Sequence, residues 1–189
     1  MRKLIVSEFV TLDGVVEAPG GEPSHRHTGW VEGLMGPEQL AYKFQEVVDA
    51  QTLLVGRVTY ESFAGAWPTY EGEFADRMNG MEKVVVSQTL TDPEWANTRV
   101  LRGDAAKGVA ELKAGDGGPI VVGGSHTLVH ALLENDLVDE LRLMVFPVTI
   151  GSGLRLFPES TRKTVWRQAG ESVLYATGAR LDTYHPASA

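Results

Sequence analysis

The sequence predicts an α/β domain with a mostly parallel central sheet, helices on both of its faces and an antiparallel hairpin at the C-terminal end. Three observations carry this. Short β-branched runs alternate with helical periodicity as far as Asn135, the pattern of repeated β-α-β units. Two strand-to-helix junctions, at Gly56 and at Gly123-Gly124, carry the glycine that a tight turn at the carboxyl end of a parallel strand needs. Beyond Glu140 the strand-like segments follow one another with no helix between the last two, so their pairing must be antiparallel.

Lys3 to Val10 is β-branched and aromatic and reads as a strand, closed by the turn Thr11-Leu12-Asp13-Gly14. Val15 to Gly36 is rich in Gly, Pro and His. An irregular stretch of that length inside a compact domain is the mark of an active-site loop. Pro37 opens a helix with Leu40, Phe44, Val47 and Val48 on one face, ending near Ala50. Leu53 to Val55 is a buried strand that runs through Gly56-Arg57-Val58-Thr59 into a short helix carrying Tyr60 and Phe63. Lys83 to Ser87 and Pro119 to Val122 repeat the buried-strand pattern, with a weaker strand at Asn97 to Leu101. Asp104 is placed to cap a helix that Gly115 stops, and Ser125 starts another through Leu133, with Asn135 near its end. Glu140 to Val148, Thr164 to Gln168 and Val173 to Tyr184 form the C-terminal strands, with Gly170-Glu171 as the hairpin turn.

A chain of 189 residues fits one domain, 1–189, able to bury its core without staples. Its 43% hydrophobic and 22% charged residues place it among soluble globular proteins. No apolar run is long enough for a bilayer and no signal-peptide pattern opens the chain, so a cytoplasmic protein without a membrane partner is expected. With no cysteine, disulfides, thiolate catalysis and thiolate metal sites are excluded. The net charge of −8 disfavours nucleic acid and leaves a small molecule as the expected partner.

Gly56-Arg57-Val58-Thr59 and Gly123-Gly124-Ser125-His126-Thr127 each offer backbone N–H groups at a helix start, where phosphate is favoured. Either alone is equally a tight turn. Together, at the carboxyl ends of parallel strands, they form a candidate pyrophosphate clamp. Neither has the spacing of G-x-G-x-x-G or of a P-loop. Ser87-Gln88-Thr89 ends its strand without a carboxylate for a ribose 2′-hydroxyl. With Arg57 it suits a 2′-phosphate, which favours NADP over NAD. His25 and His27 lack further ligands at metal spacing, so no metal site is expected, and Ser125-His126 lacks a hydrolase setting. Trp30, Trp67 and Tyr70 either line a flat heterocycle site or simply pack.

Leu54-Val55-Gly56-Arg57-Val58-Thr59-Tyr60-Glu61-Ser62 resembles the Gly-Arg-x-Thr-Trp-Glu-Ser block of the dihydrofolate reductase superfamily. Val86-Ser87-Gln88-Thr89 and Val122-Gly123-Gly124-Ser125 resemble its other cofactor-binding segments. Thr11-Leu12-Asp13-Gly14, together with Leu137-Val138-Asp139-Glu140-Leu141, Pro147 and Gly151, is similar to a branch of that superfamily, the reductase domain of the bacterial riboflavin-biosynthesis deaminase-reductase. The resemblance spans nearly the whole chain. It implies a dihydrofolate-reductase-like fold, a homodimer, and an NADPH-dependent reductase acting on a small pterin- or pyrimidine-like heterocycle or a carbonyl compound. It also implies that Gly56, Arg57, Val58 and Thr59 hold NADPH phosphates, Ser87, Gln88 and Thr89 the 2′-phosphate, and Gly123, Gly124, Ser125 and Thr127 the pyrophosphate. In that family the glycine pair is joined by a cis peptide.

Phe9 and Val16 would flank the nicotinamide, with the loop from Val15 to Trp30 covering it. Trp30, Gln39, Tyr60 and Trp67 would face the substrate, and Glu38, Asp13 or water would supply the proton. Gln39 stands where dihydrofolate reductases have a carboxylate, and Glu61 to Trp67 stands where the riboflavin reductases usually have Asp-Asp-Pro. The cofactor half therefore matches and the substrate half diverges. A non-catalytic nucleotide- or flavin-binding homodimer, or a structural dimer that keeps only the fold, is the alternative.

Overall fold

The computed structural model describes residues 1–160 and 162–187. Nine strands form one sheet: β1 (Leu4–Thr11), β2 (Thr52–Gly56), β3 (Glu82–Val86), β4 (Thr98–Leu101), β5 (Ile120–Val122), β6 (Glu140–Phe146), β7 (Trp166–Gln168), β8 (Val173–Leu174) and β9 (Arg180–Pro186). The helices are α1 (Pro37–Asp49), α2 (Arg57–Ala66), α3 (Glu73–Gly80), α4 (Ala105–Ala114) and α5 (His126–Glu134). The strand order is β4-β3-β2-β5-β1-β6-β9-β7, parallel from β4 to β6 and antiparallel where β9 meets β6, β7 and β8.

Parallel strands covered on both faces must be apolar throughout, and Ile120, Val121 and Val122 of β5 are all buried. On one face Leu54, Val84 and Val122 pack against Val109 of α4 and Val129 and Leu132 of α5. On the other, Leu53, Val55 and Val85 pack against Val47 of α1, Tyr60 of α2 and Met78 of α3. The 15–36 loop covers a third cluster, where Trp30 stacks edge-on to Phe146 with ring centroids 5.6 Å apart. No helix among the described residues is long and apolar enough to cross a membrane.

Two features differ from the sequence expectation. Helix α3 was not expected. It has only eight residues, its start is Gly72 at φ +101°, and Ala75 and Met78 alone are buried, which is too little periodicity to read. Its last carbonyls are satisfied from outside: the Lys83 ammonium at the start of β3 donates to the carbonyls of Met78 (2.8 Å), Asn79 (2.8 Å) and Met81 (2.9 Å).

The second difference concerns the C-terminal hairpin. Gly170-Glu171 does not reverse the chain, because β7 and β8 both run antiparallel to β9, with Gln168 opposite Tyr184 and Val173 opposite Leu181. Gly170, at φ +83°, lies in a bulge between them. The reversal falls at Tyr175–Ala179, within the segment expected as one strand, where Gly178 adopts φ +86° and the Tyr175 N–H donates to the Ala179 carbonyl (2.9 Å).

Candidate functional site

β5 is only three residues long, and its brevity opens the sheet. It pairs with β1 over Leu4–Val6 and with β2 over Thr52–Leu54, whereas β1 continues beside β6 as far as Thr11. Past Val122 a slot therefore lies between the Gly56 end of β2 and the second half of β1. Helix α2 leaves β2 toward the Val55 face, and α5 leaves β5 toward the Val122 face. Neighbouring parallel strands whose helices diverge in this way form the crevice in which α/β sheets bind ligands.

Both glycine junctions flank that slot, and one serine joins them. Ser125 occupies the N-cap position of α5, as expected, but its side chain caps nothing there. Its hydroxyl instead accepts a hydrogen bond from the Gly56 N–H at 2.7 Å and donates to the Thr59 hydroxyl at 2.7 Å. The orientation comes from the backbone, since Gly124 (φ +71°) and Ser125 (φ +70°) are both left-handed. No cis peptide bond occurs among the described residues, so the Gly123–Gly124 link is trans, and consecutive left-handed residues make the turn.

At Gly124 a side chain would meet the Thr59 methyl at 3.1 Å, whereas at Gly123 nothing lies within 4 Å of where one would project. The α2 start is thus braced against the α5 start, and open space remains at Gly123. A phosphate fits this arrangement: two helix N-termini converge, each leaving first-turn N–H groups without intrahelical partners. Arg57 and Val58 are exposed at the first turn of α2, and Arg57 makes a two-pronged salt bridge to Glu61 (2.8 and 2.9 Å) that solvent can compete for. Thr127 is exposed on the first turn of α5.

Next to β2, Ser87 caps the turn after β3 by accepting from the N–H groups of Thr89 (3.2 Å) and Leu90 (3.0 Å). Gln88 and Thr89 are exposed. Arg102, just past β4, donates to the carbonyls of Gln88 (3.0 Å) and Leu90 (2.6 Å), which places a guanidinium at this strand end. The sequence reading missed it. An arginine directly after a parallel strand, in Val100-Leu101-Arg102-Gly103, was the available signal.

The residues expected to face substrate have other partners. Trp30 is buried and its indole donates to the Glu17 carbonyl (2.7 Å). Gln39 is 1% exposed; its oxygen accepts from the Gly36 N–H (2.8 Å) and the Thr177 hydroxyl (3.0 Å), and its amide donates to the Leu34 carbonyl (3.0 Å). Tyr60 is a core residue whose hydroxyl accepts from the Trp95 N–H (3.0 Å). Trp67 follows the far end of α2, about 15 Å along the helix from Gly56, and packs on Phe63, Tyr70 and Phe74.

Asp13 locks a turn: it accepts from the Thr11 hydroxyl (2.6 Å) and the Gly151 N–H (2.8 Å), and these bonds hold its carboxyl below the usual range. It stays ionised and has no proton to give near neutral pH. Glu38 is exposed on the first turn of α1. Phe9 is half-buried on the α1 face of β1, edge-on to Phe146 (5.4 Å), and Val16 is half-buried and donates to the Leu154 carbonyl (2.9 Å).

Beside Phe9 the structure reveals a charged group that the sequence reading did not single out. The Lys43 ammonium sits 5.3 Å from the Phe9 ring centre, accompanied by its 2.7 Å bond to the Ser7 hydroxyl and its 2.5 Å ion pair with Glu46. Glu46 also accepts from Ser7 (2.9 Å) and Arg142 (3.2 Å). Burial opposes ionisation of Glu46, but Lys43 and Arg142 overcome it and hold the carboxyl below its ordinary value. Across the sheet lies Glu8, which has no such partners, and burial pushes it up to about 8.

The profile of the RibD C-terminal domain matches residues 2–175. Protein YwjB of Bacillus subtilis is 28% identical over 172 residues, spanning 89% of this chain and 90% of that one. A putative riboflavin biosynthesis protein from Shewanella superposes with a TM-score of 0.78 at 20% identity, over 98% of this chain and 99% of the other. A dihydrofolate reductase from Enterococcus faecalis, complexed with NADP(H), superposes with a TM-score of 0.64 at 18% identity, over 98% and 97% of the two chains. The fold is therefore dihydrofolate-reductase-like.

Proposed function

From the premise that this chain belongs to the RibD C-terminal domain family, we propose that it is an NADPH-dependent reductase of a small pterin- or pyrimidine-like heterocycle or carbonyl compound. The observation that carries this is the Ser125 bridge, which joins two helix starts around open space at Gly123. The serine forgoes its own helix cap to brace the neighbouring helix, which holds two helix starts in the relative position that a pyrophosphate between them would need.

Gly123, Gly124, Ser125 and Thr127, with Gly56 to Thr59, would hold the pyrophosphate. Ser87, Gln88 and Thr89, flanked by Arg57 and Arg102, would hold the 2′-phosphate. NADPH, when bound, supplies the hydride. The chain's own part is to orient the donor and acceptor and to keep water from them, which is where much of the rate of such reactions originates. Phe9 and Val16 border the nicotinamide position in this reading, with the 15–36 loop lying over it. The proton comes from solvent, relayed if by a side chain then by Glu38, the exposed carboxyl of α1, since the Asp13 carboxyl is committed to the Thr11 hydroxyl and the Gly151 N–H. The protein would work as a cytoplasmic homodimer.

Turnover tests the reading. NADPH oxidation, followed by absorbance, should appear with at least one of a panel of dihydropterins, aminopyrimidinones and quinones. Arg57→Ala and Arg102→Ala should each weaken NADPH by about tenfold or more, the loss of a charge-assisted phosphate contact, with little change for NADH. Equal losses for NADH and NADPH would remove the 2′-phosphate assignment, and binding without turnover on any substrate would leave the non-catalytic binder in its place.

A further inference from the structure

Strand β1 carries one ionisable residue on the face it turns toward α4 and α5. Leu4, Val6 and Val10 fill that face with apolar side chains, and Glu8 falls in the same alternation at 6% exposure. It comes two residues after the last β1–β5 pair, Val6 with Val122, and so borders the slot that the short β5 leaves open. Continuing the register that pairs Val6 with Val122 brings Glu8 beside Gly124, whose N–H belongs to the proposed phosphate cradle and favours the ionised carboxyl. One of its carboxyl oxygens, Oε1, is the only buried side-chain polar atom among the described residues that has no hydrogen-bond partner.

A bare carboxylate oxygen in such a place is costly, and taking up a proton is the cheaper state. The surrounding charges do not reverse this. Lys43 and Glu46 of α1 act on Glu8 with opposite signs, and Lys43 is itself paired with Glu46 at 2.5 Å. From α5, the His126 ring feels the His130 and Glu17 charges, and neither histidine is among the charges that act on Glu8. The register neighbour on β6 is the apolar Leu143, and the last residue of β5 is the apolar Val122.

We propose that Glu8 is a positioning residue for the dinucleotide: as a neutral acid it leaves the Gly124 N–H to a bound phosphate, and as a carboxylate it claims that N–H and sets a negative charge beside the anion. This rests on the dinucleotide reading of the site. By linkage, an anion that binds better to the neutral acid must raise the proton affinity of Glu8. NADPH affinity is then highest below about pH 8 and falls as Glu8 ionises above it, and binding on the alkaline side takes up a proton.

Calorimetric titration with NADPH tests this, using wild type and Glu8→Gln at about pH 7 and about pH 9, each in two buffers of different ionisation enthalpy. Wild-type affinity should fall about tenfold, the equivalent of one pKa unit, with proton uptake near pH 9. Glu8→Gln should bind nearly as well at either pH and take up no proton. Lys83, which burial and the Arg77 charge bring down to about 8, titrates in the same range but is present in both proteins, so the difference isolates Glu8. A flat wild-type profile, or a pH dependence and proton uptake that Glu8→Gln reproduces in full, overturns the role of Glu8 while the cofactor reading stands. No binding by wild type near pH 7 overturns the cofactor reading and this inference with it. If Glu8→Gln does not fold, wild-type uptake decides alone: none near pH 9 rejects the proposal.

Discussion

Gly124→Val is expected to weaken NADPH binding by about a hundredfold or more while costing the fold only about 1–3 kcal/mol. Gly124 sits at φ +71°, where a β-branched residue is strained, and the new Cβ would lie 3.1 Å from the Thr59 methyl and 3.3 Å from its hydroxyl. Relief requires Thr59 to move, and that movement breaks its 2.7 Å bond with Ser125, the brace between the two helix starts. Gly123→Ala separates space from strain, because nothing lies within 4 Å of the added methyl. It should leave thermal stability almost unchanged yet impair binding, since the space it fills is the ligand's. Fluorescence titration and thermal melting of both variants read this out. Unimpaired NADPH binding by Gly123→Ala would mean that the cradle lies elsewhere.

Lys83→Met should destabilise the protein by about 1–3 kcal/mol, the scale for leaving buried carbonyls without a donor. The ammonium is fully buried, satisfies three carbonyls at the end of α3 and lies 4.3 Å from the centre of the Trp95 ring. Methionine fills most of the volume but leaves those carbonyls without a donor and removes the cation–π contact. Denaturant unfolding checks this. A loss below about 1 kcal/mol would show that α3 is held by Ala75 and Met78 packing alone.

How much of this was legible in the sequence depended on whether the signal was local. Apart from α3, the strands and helices from β1 to β6 announce themselves through periodicity and capping, and Asp104 does cap α4, accepting from the Lys107 N–H at 3.0 Å. Ser125 obeyed the same statistics in position but not in partner. Its hydroxyl is drawn across to Gly56 by a left-handed backbone that no local pattern announces.

The cofactor half could be assembled because each piece is a short motif at the end of a strand. The substrate half depends on which side chains the 15–36 loop buries. Trp30 and Gln39 turn inward, where contacts distant in sequence, Glu17 and Thr177, decide their fate. Glu8 was not singled out from the sequence, although it is a charge on the apolar phase of a strand. What gives it meaning, the end of β5 at Val122, is a tertiary fact.

The most direct test of the central claim is a fluorescence titration of the wild-type protein with NADPH and with NADH near neutral pH. The account predicts saturable quenching by NADPH with an affinity at least about tenfold above that for NADH, as a 2′-phosphate contacted by arginine requires. Binding of neither dinucleotide would contradict it, leaving the braced helix starts at Gly56 and Gly123 without their proposed ligand.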